Sequence, residues 1–159
     1  TKTFTIRPET MASAVITGCK AKYSYTGKQV KPLIQVVWNG KILRNNTDYT
    51  LLYKNNKKRG SAGIVVTGKG NYSGTLTASF TIVRASVKKA SVTGLKAVYA
   101  RTGKAVKPKV TVKLGGKKLK KKRDYILSYR KNKKKGTALL YVKGVGNYSG
   151  TKKMKFKIR

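Results

Sequence analysis

The sequence predicts an all-β chain built as two consecutive copies of one small two-sheet β-sandwich, each about 76 residues long. Three observations predict it. The first is an internal period: Phe4, Phe80 and Phe156 stand 76 residues apart, as do Ile6, Ile82 and Ile158, with no insertion or deletion between them. About 35 of the 76 aligned positions agree between 8–83 and 84–159, which marks a modular array. The second is an apolar alternation of period two, the repeat of a half-buried strand, with no stretch of helical period. The third is composition: 39% hydrophobic residues and ten Tyr suit folded modules and not a disordered basic tail.

Residues 1–7 match the end of each copy, so they read as the last strand of a preceding copy or the first strand of the array. The chain is then expected to be a piece of a longer one. The first copy spans 8–83 and the second 84–159. In the first, Ile34, Val36 and Trp38 alternate with Leu33, Gln35 and Val37; in the second, Val110, Val112 and Leu114 alternate with Lys109, Thr111 and Lys113. A position that takes Lys in one copy faces water, so the comparison of copies assigns the inward face. Asn39-Gly40 and Gly115-Gly116 follow as two-residue hairpin turns, whose central residues both need positive φ. The next strand turns Tyr49, Leu51 and Tyr53 inward, matched by Tyr125, Leu127 and Tyr129. The one after it turns in Ala62, Ile64 and Val66, matched by Ala138, Leu140 and Val142. A Gly-rich connection at 68–74, repeated at 144–150, leads to the last strand. That strand buries Ala78, Phe80 and Ile82, or Met154, Phe156 and Ile158.

Each copy thus holds six or seven short strands. A β-grasp-like sheet without its helix, or a small barrel, are the alternatives to a sandwich. The join at 83–86 has neither Pro nor a Gly/Ser run, so the modules are expected end to end with limited hinge freedom.

Several strings carry a resemblance. They are Tyr-Thr-Gly-Lys-x-Val-Lys-Pro at 25–32, Asn-Gly-Lys-x-Leu at 39–43, Asp-Tyr-Thr at 48–50, Tyr-Lys-Asn-Asn at 53–56 and Gly-Lys-Gly-Asn-Tyr-Ser-Gly-Thr at 68–75. With their twins in the second copy, they resemble the tandem Ig-like repeats of large secreted or surface proteins of gut Firmicutes, over essentially the full chain. The resemblance implies Ig-like β-sandwiches outside a bacterial cell, serving as stalks, spacers or binding modules. The second copy departs from the pattern at Arg101, where the first has Tyr25, and at 117–123, which is almost wholly basic.

Little in the chain can do covalent chemistry. There is no His, and the only carboxylates are Glu9, Asp48 and Asp124. Imidazole catalysis is excluded, a carboxylate pair within one module is not available, and no oxygen-rich cluster suits a cation. Neither an enzyme nor a cofactor or metal site is expected. Asp48 and Asp124 occupy one place in both copies, just before an inward Tyr. They read as turn residues opening a strand or as a partner for a Lys or Tyr, with a Lys–Asn isopeptide cross-link promoted by the acid as the sharper alternative. The Gly-rich segments precede strands, not helices, so they read as turns and not as phosphate cradles. Single Cys19 matches Leu95 and reads as a small hydrophobe. No apolar run nears the roughly 20 residues that span a bilayer.

What the chain carries is charge: 39 Lys+Arg against 3 Asp+Glu, a net +36. It is unevenly shared, with a net +9 over 8–83 and +25 over 84–159. A common fold does not require the difference, and the crowding of like charges opposes both compaction and self-association, so a monomer is expected. Two loops hold eleven of the cations of 84–159: Lys117, Lys118, Lys120, Lys121, Lys122 and Arg123 in one, and Arg130, Lys131, Lys133, Lys134 and Lys135 in the other. Lys153, Lys155 and Lys157 alternate on the outward side of the last strand. Lys109, Lys113 and Lys143 do the same on two other strands, with Tyr141 beside Lys143. In an Ig-like module these strands share a sheet, giving one flat cationic field around Tyr141. The matching face of the first copy includes Leu33, Val37 and Val65, neutral and partly apolar, which suits contact with a protein.

Lys outnumbers Arg, and strongly hydrated point charges on flexible stems favour diffuse attraction to phosphate, sulfate or carboxylate polymers. No recognition helix or stacking platform appears, so no sequence-specific nucleic-acid binding is expected. The expected partner is an anionic polymer: teichoic acid of the cell wall, or a sulfated or sialylated host glycan. A host protein such as an immunoglobulin or mucin, or a passive stalk with no ligand, are the alternatives.

Overall fold

The computed structural model describes residues 7–159. The strand read over 1–7 falls, with Phe4 and Ile6, outside the described residues. The chain divides into two compact units between Val83 and Arg84.

The first unit runs β1 (Glu9–Thr10), β2 (Val15–Thr17), β3 (Lys22–Ser24), β4 (Gln35–Trp38), β5 (Lys41–Ile42), β6 (Tyr49–Lys54), β7 (Gly60–Gly68), β8 (Tyr72–Ser73) and β9 (Thr75–Val83). The second repeats it as β10 (Ala85–Ser86), β11 (Ser91–Thr93), β12 (Val98–Tyr99), β13 (Thr111–Leu114), β14 (Lys117–Lys118), β15 (Tyr125–Arg130), β16 (Gly136–Gly144), β17 (Tyr148–Ser149) and β18 (Thr151–Ile158). The helical content of the described residues is one 3-10 turn, Val87–Lys89. Nine strands form where six or seven were expected, because two-residue segments such as β1 and β8 pair in parallel and carry no alternation that a sequence can display.

Each unit has a three-stranded antiparallel sheet (β2-β4-β5; β11-β13-β14) and a four-stranded sheet (β3-β9-β7-β6; β12-β18-β16-β15). The strands divide among separate sheets and no single closed barrel forms. β6, β7 and β9 run as an antiparallel meander in one sheet, and β3 adds in parallel to β9. An immunoglobulin sandwich sends the third-from-last strand to the opposite sheet instead.

Alternation decides what is buried. Val36 of β4 joins Ile64 and Val66 of β7, and Phe80 and Ile82 of β9, in one core cluster fed by both sheets. Val112, Leu140, Val142, Phe156 and Ile158 are buried at the same places of the second unit. Each such side chain contributes about 1.5–3 kcal/mol on removal from water. Tyr23 meets Phe80 edge-on at 5.2 Å, and Tyr99 meets Phe156 at 5.4 Å. The hairpin turns have positive φ at both central residues: Asn39 and Gly40 at 46° and 77°, Gly115 and Gly116 at 54° and 76°.

Gly144 is required for a different reason. A Cβ there would sit 2.7 Å from the Ser149 nitrogen, and at Gly68 2.8 Å from the Tyr72 oxygen. The Gly-rich connection folds back so closely that its first residue has no room for a side chain.

Candidate anion-binding surface of the second unit

The basic loops are built on shared backbone anchors. Asp48 Oδ2 accepts from the Arg44 N–H at 2.7 Å, and Asp124 Oδ2 from the Lys120 N–H at 2.8 Å, so each Asp closes the turn before its strand. In the second unit Arg123 adds Nε and Nη2 bonds to the same carboxylate, both 2.9 Å. Those bonds, ahead of the opposing effect of burial, hold the Asp124 carboxyl below its usual range. Arg123 therefore spends its fork on the turn. The second loop is latched by Asn132, whose Nδ2 donates to the Val106 carbonyl at 2.9 Å while its own carbonyl accepts from Val106 N–H at 2.7 Å. Lys131, Lys133, Lys134 and Lys135 stand exposed around that latch.

Two of these lysines sit where backbone geometry disfavours them. Lys122 has φ 71° and Lys131 φ 54°; the first unit fills the same places with Asn46 at 68° and Asn55 at 54°. Asn tolerates the left-handed region far better than Lys. Lys113 and Lys118 also face one another directly across β13 and β14, an unfavourable like-charge pair.

The outer face of the four-stranded sheet gathers part of the expected field. Lys153 pairs with Tyr141, Lys155 with Leu139 and Lys157 with Thr137 across β18 and β16, and Lys143 stands opposite Thr151. Arg130 of β15 joins them, its guanidinium carbon 5.8 Å from the centre of the Tyr141 ring. Lys109 and Lys113 do not belong to this face: β13, whose outward side carries Lys113, lies in the three-stranded sheet, and Lys109 precedes it. The loop lysines Lys117 and Lys118 are β14 itself, in that same sheet, with Lys120 and Lys121 in the turn after it. Alternation tells inward from outward but not which sheet a strand joins.

The apolar trio of the first unit separates for the same reason. Val37 lies between Val15 and Ile42 in a row across the outer side of the three-stranded sheet, with Leu33 94% exposed just before β4. Val65 is on the other sheet, between Leu52 and Thr77.

A groove of about 830 Å³ opens in the second unit between β14 and β15, the edge strands of the two sheets. Lys107, Lys109, Lys118, Lys120 and Lys121 line it together with Tyr125, Leu127 and Tyr129. The Tyr129 hydroxyl donates to the Pro108 carbonyl at 2.8 Å and ties the two walls together. Burial raises the Tyr125 and Tyr129 phenols, so both stay protonated. Lys107 escaped the reading of the sequence because Lys31 matches it, and a comparison of copies singles out only what differs.

Among the described residues no three His, Cys, Asp or Glu side chains are placed to hold a metal ion. No described helix is long and apolar enough to cross a membrane. No family model, curated protein or solved structure matches the chain.

Proposed function

We propose that the chain is a non-catalytic binding module of a bacterial cell surface, two tandem Ig-like sandwiches in the broad sense of paired β-sheets. The second unit attaches to polyanions, teichoic acid or sulfated or sialylated glycans, by summed charge. The observation that carries this reading is the outer face of β15, β16 and β18. There Arg130, Lys143, Lys153, Lys155 and Lys157 surround Tyr141 with no carboxylate among them. Left-handed Lys122 and Lys131 and the Lys113–Lys118 pair add to it: positive charge stands at places where folding alone disfavours it.

Retention of the full chain on heparin or teichoic acid, measured against salt, tests the proposal. Each anion neutralised contributes a slope of roughly 0.7–0.9 log units per decade of salt, taking linear polyanions to behave as nucleic acid does. Lys153→Thr, Lys155→Ser and Lys157→Thr, the first unit's own residues, should lower the slope by about 2 to 3. Binding that persists unchanged above about 0.5 M salt rejects a charge-driven mechanism. A second reading, contact with a host protein such as an immunoglobulin or mucin, is favoured by the row of exposed Val15 and Ile42 with half-buried Val37 between them. That contact would survive high salt in a pull-down from serum or mucus, and a passive stalk would bind in neither condition.

A further inference from the structure

We propose that the groove between β14 and β15 is the specificity site of this unit and holds the sulfated or carboxylated sugar rings of an anionic glycan. The inference rests on the polyanion reading above and adds to it a defined place and a ligand class. The sheet face is flat and can only sum charge. The groove has depth, with Leu127 and Tyr129 half-buried in its wall and buried Tyr125 behind them. Its volume of about 830 Å³ lies within the range of ligand pockets, roughly 300–1,000 Å³, enough for a few sugar rings and not a whole polymer.

The lining combines two chemistries. Five lysines supply charge without a fixed fork, which suits sulfate or carboxylate groups at variable positions on a ring. Between them, Leu127 and Tyr129 offer an apolar wall against which the C–H face of a pyranose can be buried. A chain of polyol phosphates has the charge but no such face. Asp124, the only acidic side chain of the unit, is engaged by Arg123 and the Lys120 N–H and is not part of the lining. The Tyr129–Pro108 hydrogen bond fixes the two walls to one another before any ligand arrives, and the Asn132–Val106 pair anchors the segment that leads into Lys107. The first unit keeps the tyrosines and has Lys31 and Arg44 in place of Lys107 and Lys120, but Leu33, Ile42 and Asn45 where Lys109, Lys118 and Lys121 stand, so three of the five rim charges belong to the second unit alone.

The experiment uses the full chain and a heparin-derived tetrasaccharide. Lys109→Leu, Lys118→Ile and Lys121→Asn install residues that the same scaffold already carries. They should weaken binding about tenfold, since exposed charge pairs are each worth a few-fold. Lys88→Ala, Lys89→Ser and Arg101→Tyr remove as many charges elsewhere and should change it less than about threefold. On the unaltered chain, bound tetrasaccharide should shield Lys107, Lys109, Lys118, Lys120 and Lys121 from amine acylation while Lys153, Lys155 and Lys157 react. Equal losses in both variants, or shielding spread over the whole unit, overturn the groove and leave the polyanion reading standing. A glycerol-phosphate oligomer bound as tightly, with the same dependence on the rim, overturns the sugar-ring assignment. Failure of the chain to retain even long heparin at low salt rejects the polyanion reading itself, and the groove with it.

Discussion

Replacing Lys122 and Lys131 by Asn should stabilise the second unit, although both substitutions remove exposed surface lysines. The two backbones lie at φ 71° and 54°, within 3° of Asn46 and Asn55 at the same places of the first unit. The left-handed region costs an L-residue roughly 1–2 kcal/mol, and Asn recovers part of that through local hydrogen bonding, about 0.5–1 kcal/mol at each site. The pair should therefore contribute about 1–2 kcal/mol. In a unit of about 76 residues that raises Tm by roughly 4–16 °C, at about 4–8 °C per kcal/mol. Relief of repulsion adds to this at low salt and fades as salt screens it, whereas the backbone gain persists. Calorimetry of the full chain at low salt and at 1 M salt separates the two contributions. Lys122→Gln with Lys131→Gln removes the same charge without the tolerance of Asn. If the Asn and Gln variants melt together at 1 M salt, backbone geometry is not where these lysines exact their cost and the reasoning fails. Asn46→Lys with Asn55→Lys should lower the stability of the first unit by a similar amount.

Two further outcomes follow from the anchors of the turns. Asp124 has its folded pKa lowered by the Arg123 bonds, so its contribution is present above the unfolded value near 3.8 and is lost as pH falls through the folded one. Asp124→Asn should cost roughly 1–3 kcal/mol at neutral pH and flatten the acid limb of the unfolding curve of the second unit, as followed by denaturant titration from pH 7 to 2. Gly144→Ala should cost more than about 2 kcal/mol, because its Cβ would meet the Ser149 nitrogen at 2.7 Å and backbone must move; a Tm shift of less than a few degrees would contradict that geometry.

Much of the scaffold was legible in the residues. Val36 and Val112, Ile64 and Leu140, Phe80 and Phe156 were assigned inward from alternation and from what the other copy tolerates, and all six are buried. The turn at Asn39-Gly40 was readable because its backbone demand falls on two adjacent residues. Lys109 and Lys113 show the limit. Lys113 is exposed on β13 as read, but β13 joins the three-stranded sheet and not the sheet of Tyr141 and Lys153, while Lys109 lies before that strand and lines the groove. Lys107 shows another, since its identity with Lys31 hid it from any comparison of copies.

What the residues dictate alone is local and periodic: strand faces, turn positions, the doubling of one scaffold, and the gathering of sixteen extra positive charges in its second copy. These follow from steric limits on φ and from the two-residue repeat of a strand, which act over a few neighbours. Which strand borders which sheet, and that the edges at β14 and β15 part to leave a lysine-rimmed groove, depends on contacts between segments far apart in the chain. Pairing partners are chosen by how the two inner faces close over one core, and that choice exists only once the sheets have met.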